Sequence, residues 1–247
     1  MLIVIYLWYG GGLKKDFKNA TELQKKSSLS FSKLLDLIAL SFKNMRIRFS
    51  TSNPQDMSED VLNIMARHKN ICKHIHLPVQ SGSDKILRLM NRKHTVYDYK
   101  KLISNVKKII PGCGISHDMI TGFPNENDDD HKMTLELMDY VKYDFGFMFM
   151  YSERPGTPAA KKLEDNIPEN IKKRRLQDIV DMQQKHGRIQ NEQKLGKTLE
   201  VLIEKISKKS DHQWSGRAQQ NTVVVFPKER YKFCLLYTSD AADETGR

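Results

Sequence analysis

Apolar residues along the first part of the chain follow two alternating periods. Short runs rich in β-branched and aromatic residues predict strands over residues 1–9, 46–52, 74–80, 114–120 and 145–151. Between these runs, apolar residues recur every three or four positions. This spacing predicts helices over residues 31–42, 58–67, 102–110 and 128–141.

The regular order of strand and helix predicts an α/β fold with parallel strands and right-handed crossovers. The run at 145–151 is almost continuously apolar, so we expect a strand that is buried on both faces. The pattern fits either part of a (β/α) barrel or a doubly wound sheet, and periodicity does not choose between them.

The pattern changes after Pro158. Residues 168–194 predict one long polar helix, and alternating runs at 198–204 and 222–226 predict two strands joined by a polar link. We interpret this region as a basic helical linker followed by a small β-rich module, which is small for an independent fold.

Composition narrows the class of protein. The chain has 247 residues, a mean hydropathy of −0.58 and no apolar run of the ~20 residues that cross a bilayer. Residues 1–9 lack a basic leader and run into three glycines, so they predict a buried strand rather than a signal peptide. These features predict a cytoplasmic protein without membrane contact.

The three cysteines, Cys72, Cys113 and Cys234, lie too far apart for a CxxC pair or for a cluster held by one short loop. A low, odd count also fits a reducing compartment. His74 and His76 lie on one face of a predicted strand, but no third ligand stands nearby in the sequence. We therefore expect no metal site in this chain.

Parallel α/β folds bind ligands at the carboxyl ends of their strands. Three such ends carry suitable residues: the turn at 80–83, the segment 118–126, and the loop 151–158 with Arg154. Each also has a simpler interpretation. The first is then an ordinary turn with Ser83 as N-cap, the second a Gly-Phe-Pro loop, and the third a plain linker.

Positive charge is concentrated late in the chain. The net charge is +11, and residues 161–232 contain 17 Lys and Arg against 10 Asp and Glu. Such a surface is typical of proteins that contact nucleic-acid phosphates, although a solvated helix face would have the same pattern. The candidate RNA-binding residues are Arg154, Lys172, Lys173, Arg174, Arg175, Lys197, Lys208, Lys209 and Arg217.

Five strings together resemble the radical S-adenosylmethionine methylthiotransferases, in particular their tRNA-modifying branch. They are RIRFSTS at 46–52, HLPVQSGSD at 76–84, LMNRKHT at 89–95, DMITGFPNE at 118–126 and YSERPGTPA at 151–159. Each string is weak alone, but their joint order and spacing are specific. One departure is Asn53, where the family usually has His.

The resemblance implies the fold more closely. We expect residues 1–160 to be the C-terminal part of a parallel (β/α) barrel of the radical SAM type. Residues 161–194 would be the basic linker, and residues 195–233 a truncated TRAM domain, a small RNA-binding β-barrel. Residues 234–247 resemble translated sequencing-adaptor sequence, so we expect a non-native tail.

The resemblance also implies a chemistry. Such enzymes use S-adenosylmethionine and two [4Fe–4S] clusters to add a methylthio group to C2 of N6-isopentenyladenosine beside the tRNA anticodon. The cluster ligands of the family are not among this chain's cysteines, and we expect the chain alone to be inactive and monomeric. The implied S-adenosylmethionine-binding residues are Gln80, Ser81, Gly82, Asp118, Gly122, Phe123, Pro124 and Glu126.

Two alternatives stay open. The chain could belong to a cluster-free RNA-binding protein that keeps the barrel remnant and the basic module. It could also belong to a sibling methylthiotransferase that acts on threonylcarbamoyladenosine in tRNA or on a ribosomal protein.

Overall fold

The computed structural model describes the backbone of residues 2–6 and all atoms of residues 29–50 and 53–228. The chain divides into two compact units, each built from separate stretches of sequence. The first unit draws on Met1–Ser50, Asp60–His74 and Lys197–Arg247, and the second on Thr51–Glu59 and Ile75–Gly196. The predicted tail at 234–247 lies outside the described residues.

The predicted strands and helices occur in the predicted order up to residue 150, with one further helix at Asp84–Leu89 that the pattern did not predict. In chain order the elements are β1 Leu2–Tyr6, α1 Phe31–Ser41, β2 Arg46–Ser50, α2 Glu59–Arg67, β3 His74–His76, α3 Asp84–Leu89, α4 Val96–Ile109, β4 Gly114–Thr121, α5 Asp128–Val141, β5 Phe145–Met150, α6 Pro158–Lys162, α7 Glu169–Glu192, β6 Val201–Ser207, β7 Ser210–Ala218 and β8 Val223–Pro227.

The first unit contains two small sheets. β1 and β2 pair in parallel from Leu2 opposite Arg46 to Tyr6 opposite Ser50. The other sheet is antiparallel, in the order β6-β7-β8, and its described strands do not close into a barrel. The sequence analysis missed β7, because Ser210–Ala218 is mostly polar and has no alternating apolar run.

Two arginines of β2 join these sheets within the first unit. The Arg46 guanidinium donates to the carbonyl of Arg217 at 2.6 Å and to the Glu200 carboxylate at 2.8 Å. Arg48 donates to the carbonyl of Ala218 at 3.1 Å. Because successive side chains of a strand alternate between faces, the i, i+2 spacing places both guanidinium groups on one side of β2. The string at 46–52 therefore includes a structural contact to the small antiparallel sheet.

The second unit is built on a parallel sheet in the order β3-β4-β5. Its register places Asp118 opposite Phe147 and Thr121 opposite Met150. The strand predicted at 74–80 ends at His76, because Pro78 has no N–H to continue the ladder. Pairing resumes at one point, where Gln80 forms a bridge with Met119.

The prediction that the strand at 145–151 is buried on both faces is wrong. The residues of β5 alternate, and the Phe147 and Phe149 side chains are 54% and 52% exposed. Opposite Gly146, His117 is buried and hydrogen-bonded to Gln183 of α7 at 2.9 Å. Helix α7 therefore covers one face of β5, and the aromatic rings lie on the other.

Candidate strand-end site

Two of the predicted loops meet at the carboxyl edge of the parallel sheet. The backbone N–H of Gln80 donates to the carbonyl of Asp118, and that of Ile120 donates to the carbonyl of Gln80, both at 2.9 Å. Gln80 and Gly122 both have positive φ, +75° and +68°, so each strand turns sharply where it ends. The sheet thus brings together the segments 80–83 and 118–126, as the sequence predicted from strand ends.

The first turn, residues 80–83, packs against the backbone of α5. Its Gly82 N–H donates to the Thr134 hydroxyl at 3.0 Å. A Cβ on Gly82 would lie 2.4 Å from the Met133 carbonyl oxygen and 2.5 Å from the Thr134 Cα. Only glycine fits this close approach. Ser83 is the N-cap of α3, as the simpler interpretation of this turn predicted.

The second turn, residues 121–126, is fixed by a buried ion pair. The Glu126 carboxylate accepts from the backbone N–H of Gly122 and from the Arg175 guanidinium, both at 2.9 Å. Arg175 also donates to the Glu126 carbonyl at 3.1 Å and to Asp128 at 2.9 Å. The Arg175 and Glu126 side chains are only 4% and 2% exposed. Burial raises the pKa of Glu126, whereas the Gly122 N–H and Arg175 oppose that rise.

Lys172, one helical turn before Arg175, covers the same loop. Its ammonium group donates to Asp165 at 2.6 Å and lies 5.4 Å from the centre of the Tyr151 ring. A Cβ on Gly122 would lie 2.3 Å from the Lys172 Cγ. Tyr151 in turn meets Phe123 edge to face, with ring centres 4.9 Å apart. Glycine at 122 is therefore required by its positive φ and by the Lys172 side chain.

This arrangement revises the expectation for the basic helix. Lys172 and Arg175 are buried and paired, so their side chains are not available to a phosphate in this structure. Lys173 and Arg174 are 66% and 56% exposed. Residues three apart on a helix share a face, so α7 directs both Lys172 and Arg175 inwards. Lys173 and Arg174 lie on its outer side.

The other candidate RNA-binding residues are mostly on the surface. Arg217 is half-buried and lies 3.6 Å from Glu204. The exposed candidates are Arg154, Lys197, Lys208 and Lys209. Their role in binding stays a prediction.

Burial also separates the eight candidate cofactor residues. Asp118 keeps a half-exposed side chain, whereas the other seven residues, Gln80, Ser81, Gly82, Gly122, Phe123, Pro124 and Glu126, are buried. Asp118 lies 3.3 Å from the His76 Nε2, and the His76 Nδ1 is 2.9 Å from the Ser116 hydroxyl. The His76 ring also meets the exposed Phe147 ring in a T-shaped arrangement, with centres 6.1 Å apart.

The seven buried residues thus form the frame of the edge, and Asp118 with His76 forms its accessible part. Sequence reasoning missed the partners of this frame. Asp165, Arg175 and Tyr151 are distant in sequence from the turn that they contact, and no local pattern indicates such contacts. The pairing of His76 with Asp118 was also not predictable from the sequence, since the two residues belong to different strands.

The described residues contain neither a group of metal ligands nor a membrane-spanning helix. Residues 29–50 and 53–228 contain no group of three or more His, Cys, Asp or Glu side chains that could hold a metal ion. Cys72 is buried, and its burial raises the pKa of the thiol. Cys234 lies outside the described residues. No helix in the described part of the chain is long and apolar enough to span a bilayer.

Comparison with known families matches two regions of the chain. The profile of the Radical SAM superfamily matches residues 11–138. That of the TRAM domain matches residues 192–232, which include the antiparallel sheet. Among solved structures, coproporphyrinogen III oxidase (HemN) from Escherichia coli, a radical SAM enzyme, has a TM-score of 0.51 at 20% identity. The match covers 64% of this chain and 38% of that one, and it supports the fold alone.

Several curated relatives, all with the same name, match most of the chain. Proteins named tRNA-2-methylthio-N(6)-dimethylallyladenosine synthase are 65% identical in Christiangramia forsetii and 60% identical in Flavobacterium psychrophilum, each over 92% of this chain and 47% of the relative. The protein of the same name in Bacteroides thetaiotaomicron is 48% identical over 88% of this chain and 48% of the relative. The chain thus spans about half the length of these relatives. Their names confirm the resemblance predicted from the five strings.

Proposed function

The chain belongs to the Radical SAM superfamily, and from this premise we propose that its protein is a tRNA methylthiotransferase. The proposed reaction adds a methylthio group to C2 of N6-isopentenyladenosine beside the anticodon. The observation that carries this proposal is the 65% identity, over 92% of the chain, to a relative named for that product. Such identity favours this reaction over the sibling methylthiotransferases and over a cluster-free RNA-binding protein.

We place S-adenosylmethionine at the carboxyl edge of β3 and β4. The geometry that supports this placement is a preformed frame: Gln80 and Gly122 turn the chain there, and buried groups fix both turns. Asp118, paired with His76 at 3.3 Å, supplies the accessible polar group. When bound, this cofactor would supply the methyl group and the radical chemistry of the family, while the protein orients it and excludes water.

The described residues do not fit an iron–sulfur cluster. Such clusters are held by several Cys thiolates, and Cys72 and Cys113 are the two cysteines among the described residues. Cys72 is buried, with its thiol pKa raised by that burial, so it is poorly suited to be a thiolate ligand. We therefore assign no step to a cluster within this part of the chain.

The TRAM match and the surface cations support a tRNA partner. Exposed candidates lie in both units: Arg154, Lys173 and Arg174 in the second, and Lys197, Lys208 and Lys209 in the first. Phosphate contacts position a nucleic acid without reading its sequence. We assign these residues to tRNA positioning, and we propose that the protein works as a monomer in the cytoplasm.

Nucleoside analysis of modified tRNA tests the proposal. The full-length protein, purified without oxygen, is incubated with S-adenosylmethionine, a one-electron reductant such as dithionite, and tRNA that carries isopentenyladenosine. The tRNA is then digested to nucleosides, which are separated and whose masses are measured by mass spectrometry. We expect the mass increase of one methylthio group. Modification of threonylcarbamoyladenosine tRNA or of ribosomal protein in its place would show a sibling reaction, and tRNA binding without any modification would favour the RNA-binding alternative.

A further inference from the structure

We propose that Lys172 and Arg175 are positioning residues, which fix the turn at 121–126 in the conformation that binds S-adenosylmethionine. This inference rests on the proposed function, because it assumes that the strand-end edge is the cofactor site. It gives two residues of the basic helix a role in the cofactor site that their sequence pattern does not indicate.

A chain of contacts connects α7 to the end of β4. Arg175 donates to both the carboxylate and the carbonyl of Glu126, and the same carboxylate accepts from the Gly122 N–H. The backbone at the αL turn is therefore connected to the helix through one buried side chain. A change at Arg175 would alter the turn through Glu126.

Lys172 acts on the other side of the same turn. Its aliphatic chain lies against Gly122, and its ammonium is directed away to Asp165, 2.6 Å distant. The Tyr151 ring lies between this ammonium and Phe123. Gly122, Phe123 and Glu126 are thus each connected to α7 or to a residue that α7 contacts.

The chemistry of these contacts favours positioning over direct binding. Neither cation reaches solvent, since the Lys172 and Arg175 side chains are 7% and 4% exposed. The Glu126 carboxylate is already occupied by two donors and is likewise buried. Binding sites depend on such supporting groups, whose removal typically weakens affinity by about 10–100-fold while every direct ligand contact stays in place.

The proposal is tested by measuring cofactor affinity and stability on the same variants. The main variant pairs Arg175→Met with Glu126→Gln, which removes both charges so that none is left buried and unpaired. Arg175→Lys keeps the charge but not the planar fork. Lys172→Met keeps the aliphatic cover over Gly122 and removes only the ammonium. Lys185→Met, at an exposed position of the same helix, is the matched control.

Equilibrium dialysis of radiolabelled S-adenosylmethionine against the full-length protein gives Kd, and thermal unfolding gives Tm. We expect Kd to rise at least about tenfold in the double variant, and less in Arg175→Lys, at nearly unchanged Tm. Lys172→Met should raise Kd modestly, and the Lys185→Met control should match the wild type. A second readout is hydrogen exchange at residues 121–126, which should be faster in the double variant but not in the control.

The outcomes separate the two proposals. If the double variant and Arg175→Lys bind with the affinity of the wild type, the two cations only stabilise the fold and the inference is overturned. If the double variant fails to fold, the affinity of Arg175→Lys decides. A Kd equal to that of the wild type overturns the inference, and a raised Kd supports it. If the wild type itself binds no S-adenosylmethionine, the proposed function and this inference fail together.

Discussion

The turns at 80–83 and 121–126 end neighbouring strands, yet different forces fix them. The first lies against the backbone of α5 and is fixed mainly by close contact: Gly82 contacts Met133 and Thr134, and its N–H donates to a hydroxyl. It also contacts a charged group, since the Ser83 hydroxyl donates to the Asp130 carboxylate at 2.7 Å. The second lies against side chains of α7 and depends on the buried charges of Glu126 and Arg175. At one edge of the sheet, close packing therefore fixes the first turn and an ion pair fixes the second.

The difference predicts how each turn responds to change. Backbone atoms cannot move without moving their helix, so the first turn should tolerate no added volume. Burial opposes ionisation of its carboxylate partner Asp130, but hydrogen bonds from Asn127, Lys85 and Ser83 lower the pKa of this group. This contact should therefore weaken only as the pH falls below the ordinary value of 3.8. An ion pair is broken when one partner is removed or when its carboxylate is protonated. The second turn should therefore be sensitive to substitution and to pH. Variants of the full-length protein test this contrast.

The largest effect should come from Arg175→Met. It leaves the Glu126 carboxylate buried without its cation, and breaking a buried pair in this way costs about 3–5 kcal/mol of the free energy of unfolding. Urea unfolding at neutral pH measures this loss. Adding Glu126→Gln should restore much of the stability. If the double variant were as unstable as the single one, packing rather than charge would explain the loss.

This loss should depend on pH in a definite direction. Burial raises the pKa of Glu126 above its ordinary value of 4.5, and removing Arg175 raises it further. A carboxyl with a raised pKa in the folded state favours folding while protonated. Its contribution is complete below pH 4.5 and is lost as the pH rises through the raised pKa. The deficit of Arg175→Met against the double variant should therefore shrink as the pH falls towards 4.5, and a constant deficit would contradict the charge argument.

A somewhat smaller effect is expected from Gly82→Ala. Its Cβ would lie 2.4 Å from the Met133 carbonyl oxygen, so α5 must shift, at a cost of about 3 kcal/mol. The control is Gly112→Ala, which has a positive φ of +75° but nothing within 4 Å of the new Cβ, and which should cost about 1 kcal/mol. Urea unfolding compares the two, and equal losses would show that α5 yields easily.

Gly122→Ala should cost about 2 kcal/mol, through its positive φ and its close approach to Lys172. The neighbour here is a side chain, so it can be truncated. In the Lys172→Ala background the added cost of Gly122→Ala should fall to about 1 kcal/mol, the part due to φ. A double-mutant cycle in urea measures the coupling, and its absence would mean that Lys172 moves aside freely.

The smallest effect on stability should come from the outer face of the same helix. Replacing Lys173 and Arg174 with Gln should leave Tm nearly unchanged, because both side chains are exposed. If both bind tRNA phosphates, the slope of log K against log salt should flatten by roughly 0.7 for each phosphate that is no longer neutralised. A salt titration of tRNA binding measures the slope, and coinciding slopes would identify a solvated helix face.

The sequence by itself determined most of the elements and their order, although not β7 or α3. Helix α5 begins and ends where its pattern predicted, at Asp128 and Val141, because Asn127 and Asp130 form a capping box at its start. The position of candidate groups at strand ends was also predictable, since crossover connections place parallel strand ends at one edge. These are local or topological properties, and neighbouring residues carry the information for them.

Only the tertiary structure decided which side of each element is buried. Four consecutive cations at 172–175 fit a solvated face. Lys172 and Arg175 lie at helical spacing from the buried Ile179 and Gln183, but this spacing does not show which groups would pair with buried cations. The exposed rings of Phe147 and Phe149 were equally unpredictable, because an apolar run does not reveal whether both faces of its strand are covered. Burial and pairing depend on partners distant in sequence, such as Glu126 for Arg175, and these partners are brought together only when the chain folds.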